Sequence, residues 1–177
     1  IEVDGNLISA KTLLGTTYTD MGDYDEAMEI FIPALKQAEE LGDKFGMGNS
    51  LNRIGVVHSN KGDYDKALDC YGRSLAICEE LGDKGGMGNS LGNIGIVHKD
   101  KGDLDTALDY YDKALAIKKE LGDKTGVGQS LNNIGGVHSD KGDYDKALGY
   151  YGRTLTICEE LGSKYGMGQS LIGIGLV

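Results

Sequence analysis

The sequence predicts an all-α fold, a solenoid of antiparallel helix pairs, and three observations carry that expectation. A 40-residue block recurs without insertion or deletion: GDYDEAM at 22–28, GDYDKAL at 62–68, GDLDTAL at 102–108 and GDYDKAL at 142–148. Within each block the apolar residues advance by three or four, the stripe of an amphipathic helix. Of the 29 glycines in 177 residues, 21 obey the same period, so the glycine excess is positional and does not mark disorder.

The first unit covers residues 1–43. Its start is divergent, because Lys11 stands where the next unit has Leu51. Pro33 lies inside its second helix, where it should remove the hydrogen bond to the Glu29 carbonyl and bend the helix locally. In the second unit, 44–83, Met47, Leu51, Ile54, Val57 and His58 mark a first helix that stops at Gly62. Tyr64, Ala67, Leu68, Tyr71, Leu75, Cys78 and Leu81 mark a second, with Asp63 placed as its N-cap and Gly82 in the left-handed position after its last turn. Units 84–123 and 124–163 repeat the plan, and blocks 44–83 and 124–163 share 29 of 40 residues. Residues 164–177 form a lone first helix. There Leu171, Ile174 and Val177 would lack a second helix, so the natural chain is expected to continue, and a start at Ile1 fits a processed product or a fragment. No helix of such a pair buries its stripe alone. Stacked neighbours bury it.

The glycine classes divide by mechanism. Gly22, Gly62, Gly102 and Gly142 end first helices, and Gly42, Gly82, Gly122 and Gly162 end second ones. Gly15, Gly55, Gly95, Gly135 and Gly175 lie inside first helices, where glycine costs about 1 kcal/mol relative to alanine. The expected offset is close approach of the partner helix. Gly46 and Gly48, with their copies, sit in the first turn and imply a tight passage from loop to helix. Eight glycines, Gly72, Gly92, Gly136 and Gly152 among them, fall outside these classes.

Charge and chemistry narrow the function classes. The balance of 18 basic to 28 acidic residues, net −10, repels phosphate backbones and anionic lipid, so neither nucleic acid nor membrane is an expected partner. Cys70, Cys78 and Cys158 form no CxxC pair and are odd in number, the usage of a reducing compartment, and a cytoplasmic location is expected. His58, His98 and His138 are one position copied at 40-residue intervals. With helices 8–10 Å apart such side chains do not converge on one ion, so no metal or cofactor is expected, and the rings are read as half-buried fillers. Asp63, Asp65 and their copies suit the N-terminal end of a helix, while Glu79 and Glu80 are read as a solvated outer face. No carboxylate pair breaks the repetition, and GxG at 46–48 follows no strand. Enzymatic activity is not expected.

The chain resembles the tetratricopeptide repeat (TPR) family. The residues that carry the likeness are Leu51, Ile54-Gly55, His58, Ala67, Tyr71 and Ser74 in the second unit. In the third they are Leu91, Ile94-Gly95, His98, Ala107, Tyr111 and Ala114; in the fourth, Leu131, Ile134-Gly135, His138, Ala147, Tyr151 and Thr154. The 40-residue period is similar to the long variant of kinesin light chain, the Pins/LGN polarity adaptors and bacterial regulatory arrays. The departures are the missing tryptophan, histidine for tyrosine, and Glu79 for the usual proline. The resemblance implies a right-handed superhelix acting as a protein-interaction scaffold, with an extended or helical peptide segment held in the concave groove that first helices line.

Carried over to this sequence, the groove positions are Asn49, Asn52, Arg53, Val56 and Ser59-Asn60 in the second unit. The third contributes Asn89, Gly92, Asn93, Ile96 and Lys99-Asp100, and the fourth Gln129, Asn132, Asn133, Gly136 and Ser139-Asp140. An amide offers donor and acceptor together, so such a ladder can pair with a peptide backbone whatever its side chains. A carboxylate clamp is not expected, because Asn93 and Asn133 occupy the places equivalent to Arg53. Two other readings stand beside the scaffold: a sensor module of a larger enzyme, and end-to-end self-association through the uncapped Leu171/Ile174/Val177 face.

Overall fold

The structure, a computed structural model, describes the backbone of residues 5–177 and the side chains of residues 11–177; residues 1–4 of the first expected unit lie outside the described residues. Nine helices follow in order among the described residues, and no strand. They are α1 (Gly5–Met21), α2 (Tyr24–Leu41), α3 (Lys44–Asn60), α4 (Tyr64–Leu81), α5 (Lys84–Asp100), α6 (Leu104–Glu120), α7 (Lys124–Asp140), α8 (Tyr144–Leu161) and α9 (Lys164–Gly175). Odd-numbered helices are the first of each pair. The chain divides into two compact units, Ile1–Gly86 and Met87–Val177.

Tight turns follow from the glycines. Gly62 and Gly82 hold φ of 79° and 66°, as do their copies within a few degrees, and the left-handed region favours a residue without a β-carbon. The chain then re-enters a helix at once through an aspartate, or through Ser163 before α9, but the two turn types use that aspartate differently. Before first helices it caps: Gly46 N donates to Asp43 Oδ1 at 3.0 Å, Gly86 N to Asp83 Oδ1 at 3.0 Å and Gly126 N to Asp123 Oδ1 at 2.9 Å. A β-carbon at Gly46 or Gly126 would collide with that carboxylate, which accounts for glycine in the first turn. Before second helices the expected cap forms only at Asp103, which accepts from Thr106 N at 3.3 Å. Asp63 and Asp143 occupy the cap position without a capping hydrogen bond. Their carboxylates turn back to His58 Nδ1 and His138 Nδ1, each at 3.3 Å, and to Lys66 and Lys146. The histidines therefore tie the end of one helix to the start of the next, beyond the filling role expected of them.

Each unit has its own core. In the first, Ala27 and Phe31 of α2 meet Ile54 and Val57 of α3 and Cys70 of α4. In the second, Ala107, Tyr111 and Leu115 of α6 meet Leu131, Ile134 and Val137 of α7. Interior glycines let the aromatics in. A β-carbon would lie 2.6 Å from Tyr71 at Gly55, 2.7 Å from Tyr111 at Gly95 and 2.9 Å from Tyr151 at Gly135, well inside van der Waals contact. Gly175 departs from this expectation and meets nothing within 4 Å, since it closes α9 and no described second helix follows. Gly173 takes the role instead, with its β-carbon position 2.7 Å from Tyr151. The Tyr151 ring thus sits between backbone of α7 and of α9.

Ion pairs reinforce the pattern at its edge. Lys44 meets Glu80, and Lys124 Nζ lies 2.8 Å from Glu160, so these glutamates pair across the hairpin and are not simply a solvated face. Helix α2 runs through Pro33 without interruption.

Candidate functional site

The residues expected to line a groove lie on first helices, on the side away from the buried stripe. In α3, Leu51, Ile54 and Val57 are buried, while Asn49 is exposed and Asn52 and Arg53 are half-buried. The same alternation recurs in α5 with Asn89 exposed and Asn93 and Lys99 half-buried, and in α7 with Gln129 exposed and Asn132 and Asn133 half-buried. This follows from geometry, because positions three and four apart share a helical face and the intervening ones look elsewhere.

The two cations of this set are already engaged. Arg53 Nη1 donates to Thr16 Oγ1 at 2.5 Å and its guanidinium stands 6.0 Å from the centre of the Phe31 ring. Partial burial lowers its pKa from the ordinary arginine value. Lys99 Nζ pairs with Asp140 Oδ2 at 3.1 Å and passes over Gly136, where a β-carbon would make only an ordinary contact with Lys99 Cε at 3.6 Å. Gly92 faces open space.

The amides differ from one another. Among the described residues Asn132 Oδ1 is buried and accepts no hydrogen bond, an arrangement that costs free energy on its own. Asn89 Oδ1 accepts from Lys118 Nζ at 2.6 Å. Lys118 belongs to α6, a second helix, and was not legible as a site residue from the pattern of first helices. A signal was nevertheless present: the same register holds Cys78, Lys118 and Cys158, a break in an otherwise faithful repeat. Those cysteines are buried thiols; burial pushes Cys78 up from its ordinary pKa, with Asp83 adding to the effect.

Two further groups hold position around these faces. Burial pushes the Tyr71 and Tyr111 hydroxyls well up from the ordinary tyrosine value, so they remain neutral packing groups. The His98 and His138 rings stack on Tyr110 and Tyr150 at centroid separations of 5.5 and 5.4 Å, which fixes the carboxyl-terminal ends of α5 and α7. No group of histidine, cysteine, aspartate or glutamate able to hold a metal occurs among the described residues. No described helix is long and apolar enough to cross a membrane.

Comparison with known proteins agrees with this architecture. The profile of the tetratricopeptide repeat matches residues 7–80, 46–120 and 86–160. Among solved structures, BtubC (BKLC) from P. vanneervenii is 24% identical with a TM-score of 0.83, over 97% of this chain and 71% of that one. A Rap protein complexed with Competence and Sporulation Factor is 18% identical with a TM-score of 0.88, over 96% of this chain and 48% of that one. The nearly identical TPR-like repeats of a putative kinesin light chain from Podosopora anserina are 12% identical with a TM-score of 0.69, over 95% and 87% of the two chains. At these identities the likeness is one of fold. No curated protein sequence matches the chain significantly.

Proposed function

The chain belongs to the tetratricopeptide repeat family, a class of protein-interaction modules, and we propose that it captures an extended peptide segment along the exposed faces of its first helices. The amides of Asn93, Asn132 and Asn133 pair with the segment's backbone. The observation that carries this reading is the set of half-buried amides on the side of the first helices away from the buried stripe, Asn93 in α5 and Asn132 and Asn133 in α7. Such an amide presents both a donor and an acceptor to the backbone of a bound segment. The amide character of the neighbouring positions extends the same chemistry, giving affinity through main-chain bonds that is tolerant of the ligand's side chains. The acidic surface, net −10, steers the choice toward neutral or basic segments over nucleic acid.

The test is a selection of peptides from a random library on the 177-residue chain, followed by NMR of the backbone amides and the asparagine side-chain amides. Selected peptides should shift the signals of Asn93, Asn132 and Asn133. Peptides that bind yet shift only residues of the second helices, such as Asp112 or Glu159, would overturn the proposal.

A further inference from the structure

Each first helix receives its second helix in one repeated way, and α9 turns the same receiving face to open space. An aromatic ring of the following helix lies close to where a β-carbon on Gly15, Gly55, Gly95 or Gly135 would stand, at 2.7, 2.6, 2.7 and 2.9 Å. Three residues beyond the ring a hydroxyl crosses to the preceding glycine of the first helix. Ser74 Oγ donates to Gly48 O at 2.8 Å, and Thr154 Oγ1 to Gly128 O at 3.4 Å. Three further on, Ile77, Ile117 and Ile157 lie 3.4, 3.4 and 3.6 Å from β-carbon positions at Gly48, Gly88 and Gly128. Three beyond that, Glu80 meets Lys44, and Glu160 Oε2 lies 2.8 Å from Lys124 Nζ. A second helix thus presents an aromatic, a small residue, isoleucine and glutamate at intervals of three.

Helix α9 carries every receptor of that pattern. Gly175, Gly168 and Lys164 hold the registers of Gly135, Gly128 and Lys124. A β-carbon at Gly168 or Gly175 would meet nothing within 4 Å, and the exposed Lys164 has no acidic partner among the described residues. Leu171, between the two glycines, is exposed where Leu51, Leu91 and Leu131 are buried, and Ile172 widens the apolar strip. Helix α8 lies on the other side. Gly173, which takes the Tyr151 ring, is two residues from Gly175 and so about 200° round the helix. The Gly175 hollow therefore admits a ring, and Lys164 offers a positive charge where a glutamate of the incoming helix would fall. A second copy has no such helix to spare, because α4, α6 and α8, which carry the pattern, already cover α3, α5 and α7.

We propose that this face of α9 docks an amphipathic helix of a partner protein, antiparallel to α9, with the aromatic–small–isoleucine–glutamate pattern of α4 and α8. Docking there needs none of the amides proposed to hold an extended peptide. The probe is a peptide of the α8 sequence, residues 144–161, stapled across its exposed positions 145 and 149 so that it is helical when free. Titrated into the ¹⁵N-labelled chain, it should give saturating shifts at the backbone amides of Gly168, Leu171 and Gly175 and leave Leu131 and Gly135 unmoved. Replacing Tyr151 of the peptide by alanine should weaken binding at least about tenfold. Gly175→Ala in the chain should do the same with its thermal midpoint not lowered, because the new methyl fills the hollow without touching another atom of the chain. Lys164→Glu should weaken binding about twofold to fivefold at low salt, and Glu160→Lys in the peptide should restore it. Shifts at Leu131 and Gly135 would mean that the peptide displaces α8, and the absence of any saturable shift up to millimolar peptide would mean that the face holds no such helix. Either result overturns the proposal. So would dimerisation of the chain alone, read by sedimentation equilibrium and abolished by Gly175→Ala, since the occupant would then be a second copy.

Discussion

Helices α7 and α9 carry nearly the same register, yet they have different fates. Leu131 in α7 is 1% exposed and Leu171, its counterpart in α9, is 54% exposed. Ile134 is buried; Ile174 is only half-buried. Leu176, where α7 has Gly136, is 78% exposed, and Ile172, where α7 has Asn132, is 64% exposed. α7 packs against both α6 and α8, whereas the described contacts of α9 are with α8 and α7. Burial in a repeat is conferred by the neighbours on both sides, and the helix's own sequence only makes it possible. The expected uncapped face of α9 is accordingly shifted: Leu171, Ile172 and Leu176 are its exposed residues, while Ile174 and Val177 are partly covered.

Substitutions should expose this contrast. Leu131→Ala should cost about 2–5 kcal/mol in urea denaturation, and Leu171→Ala should stay within about 0.5 kcal/mol; equal losses would mean that the two helices are equivalently packed. The glycines give the next largest effect. Gly135→Ala forces a β-carbon to within 2.9 Å of Tyr151 and should destabilise by about 1–3 kcal/mol. Gly175→Ala meets no atom, and its thermal midpoint should be unchanged or slightly raised. Gly152 sits on α8 in open space, so Gly152→Ala should stabilise by up to about 1 kcal/mol through helix propensity alone.

Acid should act on the turn that closes α7. Hydrogen bonds from Lys146 and then His138 hold the Asp143 carboxyl below its ordinary pKa, and Lys66 and His58 do the same for Asp63. A depressed carboxylate contributes stability above its unfolded value, near 3.9, which is lost as pH falls through the lower folded value. Melting temperature should therefore fall from about pH 4 downward, and Asp143→Asn should flatten part of that slope. A slope unchanged by the substitution would remove the turn from the account. The smallest effect is expected at the edge: breaking Lys124–Glu160 with Lys124→Gln should cost at most about 0.5 kcal/mol and vanish in high salt.

How much was legible in the sequence depended on range. Helix ends were readable because Gly62, Gly82 and their copies act locally on φ, and the buried stripe because Leu131, Ile134 and Val137 share one helical face. Close packing at Gly55, Gly95 and Gly135 was readable from the cost of an interior glycine, which demands an offset. Gly173 was not, because it falls outside the 40-residue period: Asn133, Asn93 and Arg53 hold its register in the other units. The turn from His58 to Asp63 was missed because capping was the simpler local role for that carboxylate. Lys118 and Asn89 are 29 residues apart, and only the packing of α6 against α5 brings their side chains together. The candidate site was therefore visible as a set of positions, while the partners that fix the direction of each amide came from tertiary structure.

The most direct measurement is the affinity of a library-selected peptide for the chain carrying both Asn132→Ala and Asn133→Ala, by fluorescence anisotropy beside the wild type. Two lost backbone hydrogen bonds should weaken binding by about tenfold or more, with the folded state intact. Affinity equal to wild type would contradict capture of a peptide by the amides of these helices.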